Sequence, residues 1–396
     1  MRWQRRSPNG ALRPRIAVGV AALMNLIGAF LSIKVATTIA TGIVDAKALT
    51  LTMVFAALIG AIAWNLVTWA LSLPSSSSHA LVGGVVGAAI AAIGTGAVKG
   101  DTLVEKVIVP AILSPVIAGL VAMAGTAFAY VMVARLREGD ARRGYRVGQI
   151  GSASLVSLAH GTNDSQKTMG IIALALIAHG NLDADNFTVP LWVKIGCGVA
   201  IAAGTYVGGW RIINTMGNRL TEIEAPQGFA AESSGASVIL ASSYFGYPLS
   251  TTHVVSGAVV GSGIEGNAGP VIVGLIAAGL AAVLYVVTQR TPVRANDLDR
   301  SHADARSLAD GRSAGRMIPA SSLIDFDALW KIVVAGFAGG AGVVVAFGFV
   351  LLGRSHYAQA REGDVVSRGA SVLLTALGGV LCAAALIVGF IALTKK

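Results

Sequence analysis

The sequence predicts an all-α polytopic membrane protein with about 10–11 apolar segments. Two inverted repeats are expected within it, with broken helices and hydroxyl-rich helix N-termini at the centre. Three observations lead there. Of 396 residues, 54% are hydrophobic and only 13% charged, a balance outside the range of soluble domains. Apolar runs recur near 16–36, 49–73, 78–98, 107–134, 150–179, 189–210, 227–246, 250–264, 268–289, 329–353 and 370–394. A short element also occurs twice. Pro74-Ser75-Ser76-Ser77-Ser78-His79, with Gly83 and Gly87, returns as Pro248-Leu249-Ser250-Thr251-Thr252-His253, with Gly257 and Gly261, 174 residues later.

The first run, Ile16 to Ile33, follows Arg2, Arg5 and Arg6 and imitates a signal peptide. Its length and its place in a multi-span pattern make it a retained helix. Five arginines within 2–15 and five within 135–146 account for much of the net charge of +10. Each cluster flanks an apolar run, so the charge orients the chain in a plasma or inner membrane by the positive-inside rule and does not point to nucleic acid. Forty-nine glycines suit closely packed membrane helices, and Cys197 and Cys382 imply no disulfide framework. Pro110 and Pro115 predict a kink near the start of the 107–134 run. The resulting organisation is a first repeat over 1–134, a basic cytoplasmic loop over 135–149 and a second repeat over 150–289. A polar flexible linker over 290–328 and a two-helix appendage over 329–396 complete it.

The run at 150–179 carries His160, Gly161, Thr162, Asn163, Asp164, Ser165, Gln166 and Lys167 near its middle. An ionised side chain at mid-membrane costs on the order of 3 kcal/mol, so polar groups there suggest a substrate or ion site. Gly161 is expected to break the helix and free backbone N–H groups for an anion. The alternative is an Asp164–Lys167 pair at i, i+3 that neutralises itself and holds helices together.

In the repeated element, a proline, several hydroxyl residues and then small apolar residues read as a helix N-terminus. Such an end favours an anion through its unpaired N–H groups and its dipole. With five crossings between His79 and His253, the second copy is inverted, and two tips would cradle a tetrahedral oxyanion. Ordinary helix caps with interface histidines are the alternative. Glu232, in an apolar run, suits a Na⁺ site or a proton carrier, or else pairs with a basic residue. Lys34 reads as a snorkelling residue and Asn25 as an interhelical hydrogen-bonding group.

At these residues the sequence resembles the Pit-type inorganic phosphate transporter family. The resemblance rests on His160 to Asp164, on Glu232 after Gly228 and Phe229, and on the two Pro-x-Ser-[Ser/Thr]-[Ser/Thr]-His elements, and it covers about residues 10–265. It implies a symporter, often dimeric, that moves phosphate or a metal–phosphate complex with H⁺ or Na⁺ and needs no other cofactor. It also implies substrate positions at Asn163, Ser76, Ser77, Ser78, His79, Ser250, Thr251, Thr252 and His253. Asp164 and Glu232 become coupling-ion positions, with His160, Thr162, Gln166 and Lys167 in support. The family carries an Asn-Asp motif in each half, and only one is present here. His160 precedes Pro248 by 88 residues, and the same offset from Pro74 falls ahead of Met1, so a start further upstream is expected. The alternative is a reduced protein with half the usual ion site. Three other functions compete with this reading: a sulfate permease of the same fold, a non-transporting membrane subunit or sensor, and an enzyme. No nucleophile–base pair or phosphate-binding glycine loop favours the last.

Overall fold

The structure, a computed structural model, describes residues 14–208, 223–264, 326–359 and 365–394. The apolar run at 268–289, the linker as far as residue 325 and the basic N-terminal residues 1–13 lie outside the described residues. The helices are α1 (Pro14–Gly28), α2 (Lys34–Thr37), α3 (Leu51–Ala70), α4 (Ser77–Ala92), α5 (Gly100–Leu103) and α6 (Val109–Val133). They continue with α7 (Glu138–Ala178), α8 (Leu191–Gly208), α9 (Ala225–Tyr244), α10 (Thr251–Gly263), α11 (Phe326–Gln359) and α12 (Val365–Thr394). Wide π-type turns extend α2 over Thr38–Gly42 and precede α6 over Val104–Ile108. The irregularity expected around Pro110 therefore lies just before α6, and Pro115 sits inside it.

The outer surface is the clearest sign of the lipid phase. On α3 the buried stripe is Val54, Ala57, Ala61 and Thr68, at helical spacing. Phe55 (65% exposed), Trp64 (57%) and Leu66 (59%) face outward from the same helix. Large apolar side chains outside and small ones inside are stable only when the solvent is hydrocarbon, because helix association there depends on close packing. Among the described residues, four helical runs are long and apolar enough to cross a membrane: Leu51–Ala70, Gly100–Val133, Trp330–Gln359 and Arg368–Ala385. The chain is a multi-pass plasma-membrane protein.

Two expectations change. Gly161 does not break a helix: α7 runs unbroken through it for 41 residues. At about 1.5 Å per residue that helix is about 60 Å long, twice the hydrocarbon thickness. Its early turns include Arg142, Arg143 and Arg146, so most of the basic segment expected as a loop at 135–149 is helical. The reason for Gly161 is close approach. A Cβ on it would stand 2.3 Å from the Asn25 carbonyl oxygen, and one on Gly28 would stand 2.3 Å from that of Leu158. Helices α1 and α7 thus cross backbone against backbone. The broken span is the first one, where the chain leaves α1 at Gly28 and restarts at Lys34.

The repeat is more extensive in space than in letters. Helix α3 starts at Leu51 and ends at Ala70; α9 starts at Ala225 and ends at Tyr244, the same 20 residues displaced by 174. A left-handed residue follows each at the same offset, Ser72 (φ 57°) and Gly246 (φ 78°). Leu73 N–H donates to the Thr68 carbonyl at 2.9 Å, and Tyr247 N–H to that of Ser242 at 2.9 Å, completing matched helix ends. The C-terminal pair is less separate than an appendage. Helix α11 packs on α6 and α9, where Phe347 joins Tyr145 and Phe229 in an aromatic cluster.

Candidate functional site

The two repeated tips meet. Ser76 caps α4 by accepting from the His79 N–H at 3.2 Å, and Ser250 caps α10 by accepting from the His253 N–H at 3.3 Å. Their backbone angles agree, φ −89° and ψ 108° against φ −81° and ψ 105°. Each cap is the local solution that a hydroxyl residue after a proline-led loop favours. Beyond the caps, the imidazole rings of His79 and His253 lie 5.3 Å apart. The Ser78 hydroxyl donates to the Leu249 carbonyl at 3.0 Å, joining one tip to the segment that leads into the other.

Helix α7 closes the site from the side. Lys167, with a side chain only 1% exposed, donates to Asp164 Oδ1 at 2.6 Å, to Ser78 Oγ at 2.5 Å and to the Leu249 carbonyl at 2.5 Å. Asp164 Oδ2 accepts from Thr251 Oγ1 at 3.2 Å and faces His160 Nδ1 at 3.2 Å. His160 Nδ1 also lies 3.2 Å from Thr251 Oγ1. The Asp164–Lys167 pair read from the sequence therefore exists, and it also bridges both tips. An ammonium, a carboxylate and two helix N-termini share one small region, so the local field has the positive excess that an anion seeks.

Other expected residues stand nearby in different roles. Asn163 Nδ2 donates to Ser243 Oγ at 2.9 Å and to the Tyr247 carbonyl at 3.4 Å, which pins α7 to the end of α9. Its Oδ1 is buried without a partner. Gln166 caps the restarted first span: its Oε1 accepts from the Val35 N–H at 2.9 Å while its Nε2 donates to the Thr162 carbonyl at 2.7 Å. Thr162 Oγ1 turns back to the Leu158 carbonyl at 2.8 Å. Thr252 is half-buried in the first turn of α10, and Ser77 is exposed although its counterpart Thr251 is buried.

Glu232 is not brought to the tips. It accepts from the Ser152 hydroxyl, and Ser152 lies twelve residues before Asp164 on α7, about 18 Å along the axis. The contacts Ser152–Glu232 and Asn163–Ser243 share a separation of 80, so α7 and α9 run parallel and hold Glu232 away from Asp164. Its partner is a hydroxyl and not the basic residue that the sequence left open. Asn25 does bond between helices, donating to Thr205 Oγ1 on α8 at 2.9 Å. Lys34 is exposed, and its ammonium sits 4.1 Å from the centre of the Tyr244 ring.

The site residue missed by reading the letters is Leu249, whose contribution is a main-chain oxygen that no motif encodes. The displaced α3–α9 match did leave a signal, since Phe55-Ala56-Ala57 recurs as Phe229-Ala230-Ala231 at the same offset of 174.

Matched tips meeting beside a polar helix inside an apolar shell define a membrane protein of transporter class. Comparison with known proteins makes that specific. The profile described as "Phosphate transporter family" matches residues 8–138 and 130–288, and the chain belongs to that family. A Mycobacterium tuberculosis protein named "Probable low-affinity inorganic phosphate transporter" is 56% identical over 280 residues, covering 71% of this chain and 67% of the relative. Proteins of the same name from Rhizobium meliloti and Bacillus subtilis are 44% and 41% identical. They cover 70% and 64% of this chain and 82% and 76% of the relatives. A solved structure titled "The sodium-dependent phosphate transporter" superposes with a TM-score of 0.56 at 21% identity, covering 86% of this chain and 90% of the other. At that identity it speaks for the fold alone.

Proposed function

We propose that this protein is a secondary active symporter that carries inorganic phosphate, free or as a metal–phosphate complex, across the plasma membrane with H⁺ or Na⁺. The observation that carries the reading is the meeting of the α4 and α10 N-termini beside Asp164 and Lys167. Helix N-termini with Ser and Thr hydroxyls supply donors to oxyanion oxygens without bringing a mobile counter-ion. The names of relatives at 41–56% identity support phosphate as the oxyanion. Ser76, Ser250 and the two histidines form the substrate cradle in this reading, with Asp164 and Lys167 setting its charge, while Ser78 and Thr251 donate to the Leu249 carbonyl and to Asp164 and so fix its walls. Glu232 serves a separate buried position, where it accepts a proton or a cation away from the cradle.

The test is uptake of radiolabelled phosphate into proteoliposomes containing the full chain, under an imposed H⁺ or Na⁺ gradient. Gradient-driven accumulation that excess phosphate blocks, and excess sulfate does not, is the expected result. Absence of accumulation under either gradient refutes symport, and equal inhibition by sulfate refutes the choice of substrate.

A further inference from the structure

The surroundings of Lys167 are those of a bound cation. Its three ammonium protons meet three oxygens of three chemical kinds from three parts of the chain. They are the Asp164 carboxylate on α7, the Ser78 hydroxyl in the first turn of α4 and the Leu249 carbonyl ahead of α10. Ser78 gives its own proton to Leu249, which leaves its lone pairs facing the ammonium. Carboxylate, hydroxyl and main-chain carbonyl are the donors that hard cations select, and a carbonyl beside a helix break is a recurring ion ligand in transporters.

The cage also leaves acceptor capacity for a cation, since only one hydroxyl reaches each of two acceptors, Ser78 at Leu249 and Thr251 at Asp164. The Asp164 carboxylate and the Leu249 carbonyl are both acceptors only, so neither can satisfy the other. Two helix N-termini point their positive ends at the same place, which disfavours a positive charge unless oxygens surround it closely. A further acceptor, Asn163 Oδ1, is buried and unpartnered one turn before Lys167 on the same face of α7. The lysine thus fills an oxygen-rich position. Being tethered, it is never diluted and never leaves the chain.

We propose that the Lys167 ammonium is a built-in counter-ion that occupies this cage in place of Na⁺. Lys167 is thereby the residue that makes phosphate transport independent of Na⁺ at this position. The proposal rests on the symport reading above, and it separates that reading into a Na⁺-filled and a lysine-filled version of one cage.

The experiment uses the purified full chain in detergent, wild type, Lys167→Ala and Lys167→Gln. Thermal unfolding is followed in NaCl and in choline chloride at equal ionic strength. The wild type is expected to melt at the same temperature in both. Lys167→Ala is expected to show a saturable rise in melting temperature with NaCl, because a ligand that binds only the folded state stabilises it by mass action. Recovery of Lys167→Ala only when Na⁺ is present throughout purification supports the proposal equally. Lys167→Gln, which removes the charge and offers its amide oxygen as a further cation ligand, carries the same comparison where the alanine variant fails to fold. A Na⁺-specific shift in the wild type overturns the proposal, and so does a vacated variant indifferent to Na⁺. A lysine serving only as interhelical glue gives that second result. In parallel, wild-type phosphate uptake under a pH gradient is expected to be equal in Na⁺ and choline. If no gradient drives uptake, the symport reading falls, while the melting comparison still judges the cage.

Discussion

Replacing Gly161 with alanine tests the crossing that holds the polar centre of α7 in place. The new Cβ would lie 2.3 Å from the Asn25 carbonyl oxygen, 2.5 Å from Asn25 Cα and 2.7 Å from its carbonyl carbon. All three are main-chain atoms, so no side chain can rotate away, and α1 and α7 must part by about 1 Å to restore ordinary carbon contacts. Overpacking of this kind costs about 1–3 kcal/mol, and a purely main-chain clash belongs at the upper end. Alanine returns about 1 kcal/mol of helix propensity, which leaves a net loss of about 2 kcal/mol. Gly151 on the same helix is the internal control, because a Cβ there meets nothing within 4 Å. Thermal unfolding of the purified proteins is expected to rank Gly151→Ala at or above wild type and Gly161→Ala below it. Phosphate uptake should fall with Gly161→Ala, since a displaced α7 also draws Gln166 away from the Val35 N–H on α2. A Gly161→Ala protein that melts at or above the wild type would refute the close-approach account.

Further outcomes follow from the same geometry. Asp164→Asn leaves the buried Lys167 ammonium without its carboxylate, and breaking such a pair costs about 3–5 kcal/mol. Uptake is expected to be lost, and adding Lys167→Gln should recover part of the melting temperature in a double-mutant cycle. Ser76→Ala and Ser250→Ala each remove one cap of matching geometry, so each is expected to lower stability by about 1 kcal/mol, and by similar amounts. Denaturation of the two variants side by side checks that equality. Gln166→Leu leaves the Val35 N–H buried without its acceptor, at about 1–3 kcal/mol, and hydrogen exchange at Val35 should accelerate.

Much of this arrangement was legible in the letters because it depends on local chemistry. Ser76 and Ser250 were readable as caps, since a hydroxyl after a proline-led loop satisfies the N–H three residues on. The Asp164–Lys167 pair was readable from its spacing of three. What could not be read was which tertiary contact each small residue serves. Gly161 carries the same letter whether it breaks a helix or admits a neighbouring main chain, and only the position of Asn25 decides. The breadth of the repeat was hidden for a related reason. Helix α3 is exposed along most of its length and α9 is largely buried, so their surroundings call for different letters although their end geometry matches. The family resemblance groups Glu232 with Asp164 as coupling-ion positions. The parallel course of α7 and α9, which keeps them apart, has no signature in composition.

The glycine contacts behind the two tips have a mechanical consequence. Helix α10 lies on α6 with Gly257 and Gly261 against the main chain at Pro115 and Gly119, while α4 lies on α3 with Gly84 against that of Ala57. Each tip is therefore clamped to its own partner along bare peptide, where sliding would meet carbonyls within a fraction of an ångström. Across the junction itself the contacts are made by side chains, to one another and, from Ser78 and Lys167, to the Leu249 carbonyl. Relative movement of the two tips is therefore easier at the seam between them than within either glycine-packed pair.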